Sequence, residues 1–153
     1  MTPKTKKLEE FHVIGISVRT TNQGGKSQKD IGELFGIFFR DNLIEKIPNK
    51  ESNDVYCIYT EYESDFKAPY TAVIGCKVTS LETVPAGLIK ITVPALKYLV
   101  FKSIGKLPES VGMTWNQIWQ SRISRKYIAD FDVYGQKAQN PNDAEVDTYV
   151  SIK

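Results

Sequence analysis

The order strand, helix, strand, strand is legible twice along this chain of 153 residues, and few folds accommodate that repetition. Residues 11–20 (FHVIGISVRT) are rich in β-branched side chains and run into the turn formers Asn22, Gln23, Gly24 and Gly25, which predicts a first strand. Ser27, with Asp30 close behind it, gives a helix start near a capping box, and Ile31, Leu34, Phe35 and Phe38 then fall at helical spacing. That helix should fade over 43–47, because the residue before Pro48 resists the helical conformation. Two strands, 54–63 (DVYCIYTEYE) and 71–79 (TAVIGCKVT), complete the unit.

The second half runs in the same order. Residues 87–93 (GLIKITV) read as an edge strand because Pro85 and Pro94 bracket them, and 97–104 (KYLVFKSI) as the next strand. A turn with Gly105, Pro108 and Ser110 leads into a helix over 111–124, on which Val111, Trp115, Ile118, Trp119 and Arg122 share one face. The strands 130–135 (DFDVYG) and 145–152 (EVDTYVSI) close the pair. The halves, about 11–80 and 87–152, share pattern and not sequence. The expectation is one α+β domain over 1–153: a tandem β-α-β-β repeat whose curved antiparallel sheet carries two helices on one face and a ligand groove on the other.

Charge and composition exclude several function classes. Twenty Lys+Arg against 18 Asp+Glu leave +2, which argues against direct nucleic-acid binding through a dense cationic surface. The single histidine, His12, cannot build a histidine-rich zinc site, and no metal or cofactor is expected. No apolar run approaches the ~20 residues that a bilayer requires, and Lys4, Lys6 and Lys7 read as a solvated tail, so a cytoplasmic protein without membrane contact is expected. Cys57 and Cys76 sit in separate strand-like runs and read as reduced, buried thiols. Against this ordinary background, seven Phe, eight Tyr and two Trp are many flat side chains.

Particular residues carry a resemblance. The runs 70–78 (YTAVIGCKV), 85–88 (PAGL) and 98–101 (YLVF) with Gly105, then 115–119 (WNQIW) and 131–134 (FDVY), resemble in order the GyrI-like effector-binding domain of AraC-type and MerR-type transcription activators. The resemblance spans about 11–152. It implies a cavity between the halves that receives small organic molecules, often hydrophobic cations, with an acidic residue at its base. In the family's usual Phe-Glu-x-Tyr motif that residue is glutamate; the matching position here is Asp132, one methylene shorter. Some stand-alone relatives look like hydrolases, and an alternative use of Asp132 is as general base or nucleophile.

Alternation along 131–134 places Phe131 and Val133 on one face, to be covered by the helices, and Asp132 with Tyr134 on the groove. Tyr149 can face the same way with Asp147 and Ser151. In the strand 54–63, Tyr56, Ile58, Thr60 and Tyr62 form one set and Val55, Cys57 and Tyr59 the other, and alternation leaves open which faces the groove. The candidate ligand-binding residues are Asp132, Tyr134, Tyr149, Trp119, Trp115 and Tyr56, with Trp119 at the rim and Trp115 nearer the core. Phe35 and Phe38 read as core. Aromatic faces around a carboxylate form a receptor for a lipophilic cation, since each ring attracts a cation by ~0.5–2 kcal/mol and burial of the anion raises its pKa until a cation relieves the cost. Only ~10 residues precede the first strand and no helix-turn-helix is left unassigned, so regulatory output calls for a protein partner or separate DNA-binding subunit. A homodimer through an edge strand is left open.

Overall fold

A computed structural model describes residues 3–153. In chain order the elements are β1 (Lys4–Leu8), β2 (Phe11–Thr20), α1 (Lys26–Arg40), α2 (Leu43–Lys46), β3 (Val55–Thr60), β4 (Tyr70–Val78), β5 (Ile89–Val93), β6 (Leu96–Gly105), α3 (Glu109–Gln120), β7 (Ala129–Tyr134) and β8 (Ala144–Ser151). The strands form one eight-stranded sheet in the order β1-β6-β8-β7-β3-β4-β2-β5, every neighbouring pair antiparallel. The architecture is α+β.

Counting outward from the central pair β3 and β7, the strands correspond as β4 with β8, β2 with β6, and β5 with β1. The opening strand of each half therefore lies on the outer edge of the other half: β5 pairs with β2, and β1 pairs with β6. This corrects the expected N-terminal tail. Lys4, Lys6 and Lys7 are strand residues facing Val100, Tyr98 and Lys97, and their charges suit an exposed sheet edge that must not recruit further strands.

The two helices lie on one face of the sheet. Leu34 and Phe38 of α1 bury themselves against Ile14, Cys57, Ile74 and Cys76, while Val111, Trp115 and Ile118 of α3 cover Val146 and Val150. The opposite face, where the groove was expected, is filled. Phe11, Val13, Ile58, Tyr98 and Phe131 are buried there together. Although β2 and β7 are separated by two strands, the rings of Phe11 and Phe131 stand 5.4 Å apart edge to face, so the sheet coils far enough to close over its own inner face. Gly15 opposite Gly75 permits the close crossing of β2 and β4, because a Cβ on Gly15 would lie 2.0 Å from the carbonyl oxygen of Ile74.

Both helices depart from their predicted ends. Gly25, at φ 72°, starts α1 without a side-chain cap, Ser27 is buried within the first turn, and Asp30 instead accepts from Thr20 Oγ1 at 2.9 Å and Lys26 Nζ at 2.6 Å. Ser121 adopts an extended conformation that ends α3 at Gln120 and leaves Arg122 outside it. Cys57 and Cys76 are free and buried. Among the described residues no helix is long and apolar enough to cross a membrane.

Candidate functional site

A cavity of about 670 Å³ opens between α1 and α3, with the sheet as its floor. Helical spacing divides the work of α1: Leu34 and Phe38 point into the core, whereas Ser27, Ile31 and Phe35, four residues apart, line the cavity. From α3 come Glu109, Val111, Trp115, Asn116 and Trp119; the floor and far wall are Tyr59, Tyr62, Tyr70, Tyr134, Phe66 and Arg125.

The aromatic side chains support one another. Tyr59 meets Trp115 edge to face at 5.2 Å and Tyr70 at 5.9 Å, Phe35 meets Tyr134 at 5.4 Å, and Phe66 stacks flat on Trp119 at 5.9 Å. This leaves a wall of ring faces and edges held in place by contacts among the lining residues themselves.

Behind Tyr59 and Trp115 lies Asp132, with no solvent exposure. Its carboxylate accepts from Tyr59 Oη at 2.6 Å, from Thr148 Oγ1 at 2.5 Å, and from Trp115 Nε1 at 3.1 and 3.2 Å to its two oxygens. Burial pushes its pKa up to about 6, while the Thr148, Tyr59 and Trp115 hydrogen bonds pull the other way and nearby Asp130 adds to the rise. Among the described residues no Lys, Arg or His side chain forms an ion pair with Asp132. The same burial, reinforced by the carboxylate, holds the Tyr59 and Tyr134 hydroxyls well above their usual range.

Asp130, two residues earlier on β7, is equally buried and fully matched. Arg125 Nη2 donates to its Oδ2 at 2.7 Å, as does Tyr62 Oη at 2.6 Å, and the backbone N–H and hydroxyl of Ser151 donate to Oδ1 at 2.7 and 2.9 Å. The Arg125 guanidinium lies 4.3 Å from the Tyr127 ring centre and 5.6 Å from that of Trp115.

Over residues 4–152 the sequence matches the profile of Cass2, the integron-associated effector binding protein. The chain belongs to this family of effector-binding proteins. The effector-binding protein is also 31% identical over 151 residues to YobU of Bacillus subtilis (strain 168), a protein named as a transcriptional regulator, with 95% of this chain and 94% of YobU covered. An integron cassette protein from the mobile metagenome of Vibrio cholerae shares its structure at a TM-score of 0.78 and 27% identity, covering 100% of this chain and 97% of that one. SAV2435, solved bound to tetraphenylphosphonium, shares the fold at a TM-score of 0.81 and 17% identity, covering 100% and 94%.

In the effector-binding protein, four of the six candidate ligand residues gather on one side of the sheet: Asp132, Tyr134, Trp115 and Trp119. The other two do not join them. Cross-strand register sets Tyr149 opposite Phe131 and Thr148 opposite Asp132, so Thr148 takes the place beside the carboxylate. Tyr149 stacks on Phe131 at 4.6 Å, and Tyr56 packs against Phe131 and Phe11 on the same inner face. The helices accordingly cover Asp132 and Tyr134, and Phe131 and Val133 take the opposite side.

Sequence reasoning left the faces of Tyr59 and Tyr62 open, missed Phe66, Tyr70 and Arg125, and placed Phe35 wholly in the core. Alternation puts Tyr59 and Tyr62 on opposite faces, but β3 ends at Thr60 and Glu61 turns the chain at φ 51°, which returns Tyr62 to the side of Tyr59. Arg125 lies beyond α3, in a stretch with no periodic signal.

Proposed function

We propose that this protein captures small lipophilic cations in the cavity between α1 and α3 and releases them unchanged. The observation that carries the proposal is Asp132: a carboxylate without solvent exposure, directly behind an aromatic wall, satisfied by three neutral side-chain donors and, among the described residues, by no cation. Its negative charge is costly while the cavity is empty, and a cation among the rings lowers that cost. Ring faces contribute attraction that depends little on ligand shape, so recognition is broad. Support comes also from family membership and from the tetraphenylphosphonium held by SAV2435, a protein of the same fold.

In this role the protein serves as a sensor or scavenger. The test is titration with tetraphenylphosphonium, followed by calorimetry and thermal melting. A ligand at ~100 times its dissociation constant stabilises by about 2.7 kcal/mol, which is readily visible in the melt. Wild type is expected to bind it and Asp132→Asn to bind it at least about tenfold more weakly, with the compound recovered intact. Equal affinity in the two proteins rejects the role assigned to Asp132, and absence of binding by a panel of lipophilic cations rejects the receptor itself.

A further inference from the structure

The charged lining of this cavity is asymmetric in a way that cation capture does not use. Arg125 stands on the cavity wall with 3% of its side chain exposed. Of its guanidinium nitrogens, Nη2 donates to Asp130, whereas Nε and Nη1 are buried and find no acceptor among the described residues. Guanidinium N–H groups cannot be silenced by deprotonation, so each buried one without an acceptor carries its full desolvation cost.

The rest of the environment holds Arg125 in place without satisfying these donors. Asp130 anchors one end, and the rings of Tyr127 and Trp115 flank the guanidinium, offering π faces in place of lone pairs. Trp115 is shared between the two charged groups, since its Nε1 donates to Asp132 while Arg125 lies over its ring. The cavity therefore has a negative group and a group of idle donors separated by one indole.

We infer that Arg125 is a second polar anchor, taking an acceptor oxygen of the bound molecule, so that the preferred ligand is a lipophilic cation that also bears a carboxylate or carbonyl a few bonds from its positive centre. This rests on the proposed capture of cations by the cavity, and it narrows the ligand class from cations in general to cations that carry an acceptor. Glu109, the other charged residue of the lining, is exposed on the first turn of α3 and cannot serve the acceptor.

The test uses two phosphonium salts of matched bulk, butyltriphenylphosphonium and (3-carboxypropyl)triphenylphosphonium, titrated calorimetrically into the full chain at pH 8. Wild type is expected to favour the carboxylated compound by about tenfold or more, the order of one charge-assisted hydrogen bond. Arg125→Lys keeps a positive charge for Asp130 but lacks the idle nitrogens, and the ratio of the two affinities should fall to about one whatever the change in affinity for the butyl compound. The wild-type comparison stands without any variant, so poor folding of Arg125→Lys does not blunt it. Equal binding of the two salts by wild type, or a preference that survives in well-folded Arg125→Lys, overturns the role of Arg125 alone. Failure to bind either salt overturns cation capture and this inference with it.

Discussion

Asp130 and Asp132 are neighbours on one face of β7, both without solvent exposure, and among the described residues only Asp130 has a cationic partner. In a low-dielectric interior this difference decides what each does. The Asp130 carboxylate, with Arg125, Tyr62 and Ser151 donating to it, ties β7 to β8 and to the segment after α3. Asp132 has hydrogen bonds enough to stay ordered and too little positive charge nearby to be at rest.

The unpaired state of Asp132 predicts opposite pH responses for stability and binding. Its folded-state pKa of about 6 lies above the ordinary value of 3.8, so ionisation weakens the fold: the penalty is full above pH 6 and is relieved as pH falls through 6 toward 4. Binding of a permanent cation requires the ionised form and so weakens over the same interval, approaching tenfold per pH unit below the pKa. Tyr59, Tyr134 and Cys57 face the same carboxylate, but burial holds all three above their ordinary values, so they stay neutral in this window. Tetraphenylphosphonium affinity and urea unfolding measured from pH 8 to 5 should show both trends in the difference between wild type and Asp132→Asn, where the remaining carboxylates cancel. A binding curve that is flat in wild type contradicts the assignment.

Tyr59→Phe tests the hydrogen bond at 2.6 Å that favours ionised Asp132. Removing the hydroxyl withdraws a donor from the charged form and shifts the carboxyl pKa further up, by roughly one unit for a bond worth about 1–2 kcal/mol. The midpoint of the binding profile should therefore move to higher pH while affinity at pH 8.5 changes little. A uniform loss at every pH would mean that Tyr59 acts only as a contact surface.

Arg125→Met should unfold the protein far more easily, for it leaves Asp130 charged and buried without its cation. Removing one partner of a buried pair costs about 3–5 kcal/mol, which for a chain of this size lowers the melting temperature by about 10 °C. The paired change Arg125→Met with Asp130→Leu should recover part of the loss, as no buried charge then remains uncompensated. If the single variant melts within a degree or two of wild type, the ion pair is not structural.

The doubled β-α-β-β order was legible because each element carries its own local signal: β-branched runs, helical spacing in Ile31, Leu34 and Phe38, and prolines at 48, 85 and 94. Asp132 was singled out by its place in the run from Phe131 to Tyr134, though on the face away from the helices. What alternation cannot supply is the face. It sorts Phe131 from Asp132 and Tyr149 from Thr148, but which set meets the helices depends on long-range register, and Asp132 is paired with Thr148 only once β7 and β8 are aligned. Nor does the sequence disclose the strong coil that seals the face around Phe131, or the exchange of β1 and β5, since Lys4–Leu8 has no apolar alternation to announce it.

This division of the tyrosines and tryptophans yields a further comparison, between Trp119→Ala and Tyr149→Ala. Trp119 is half-buried at the cavity and stacked on Phe66, so its loss removes a ring face from the ligand's surroundings and frees Phe66 to move. A ring worth ~0.5–2 kcal/mol to a cation corresponds to a loss of about 2- to 30-fold in tetraphenylphosphonium affinity, with a small change in melting temperature. Tyr149 belongs to the opposite face, stacked on Phe131 and edge to face with Tyr98 at 5.8 Å. Its truncation opens a gap in the inner aromatic cluster and should cost about 2–4 kcal/mol of stability while leaving affinity, measured well below the new melting temperature, within about twofold of wild type. If Tyr149→Ala instead abolishes binding in a folded protein, the ligand lies on the inner face of the sheet, and the cavity between α1 and α3 is not where the cation sits.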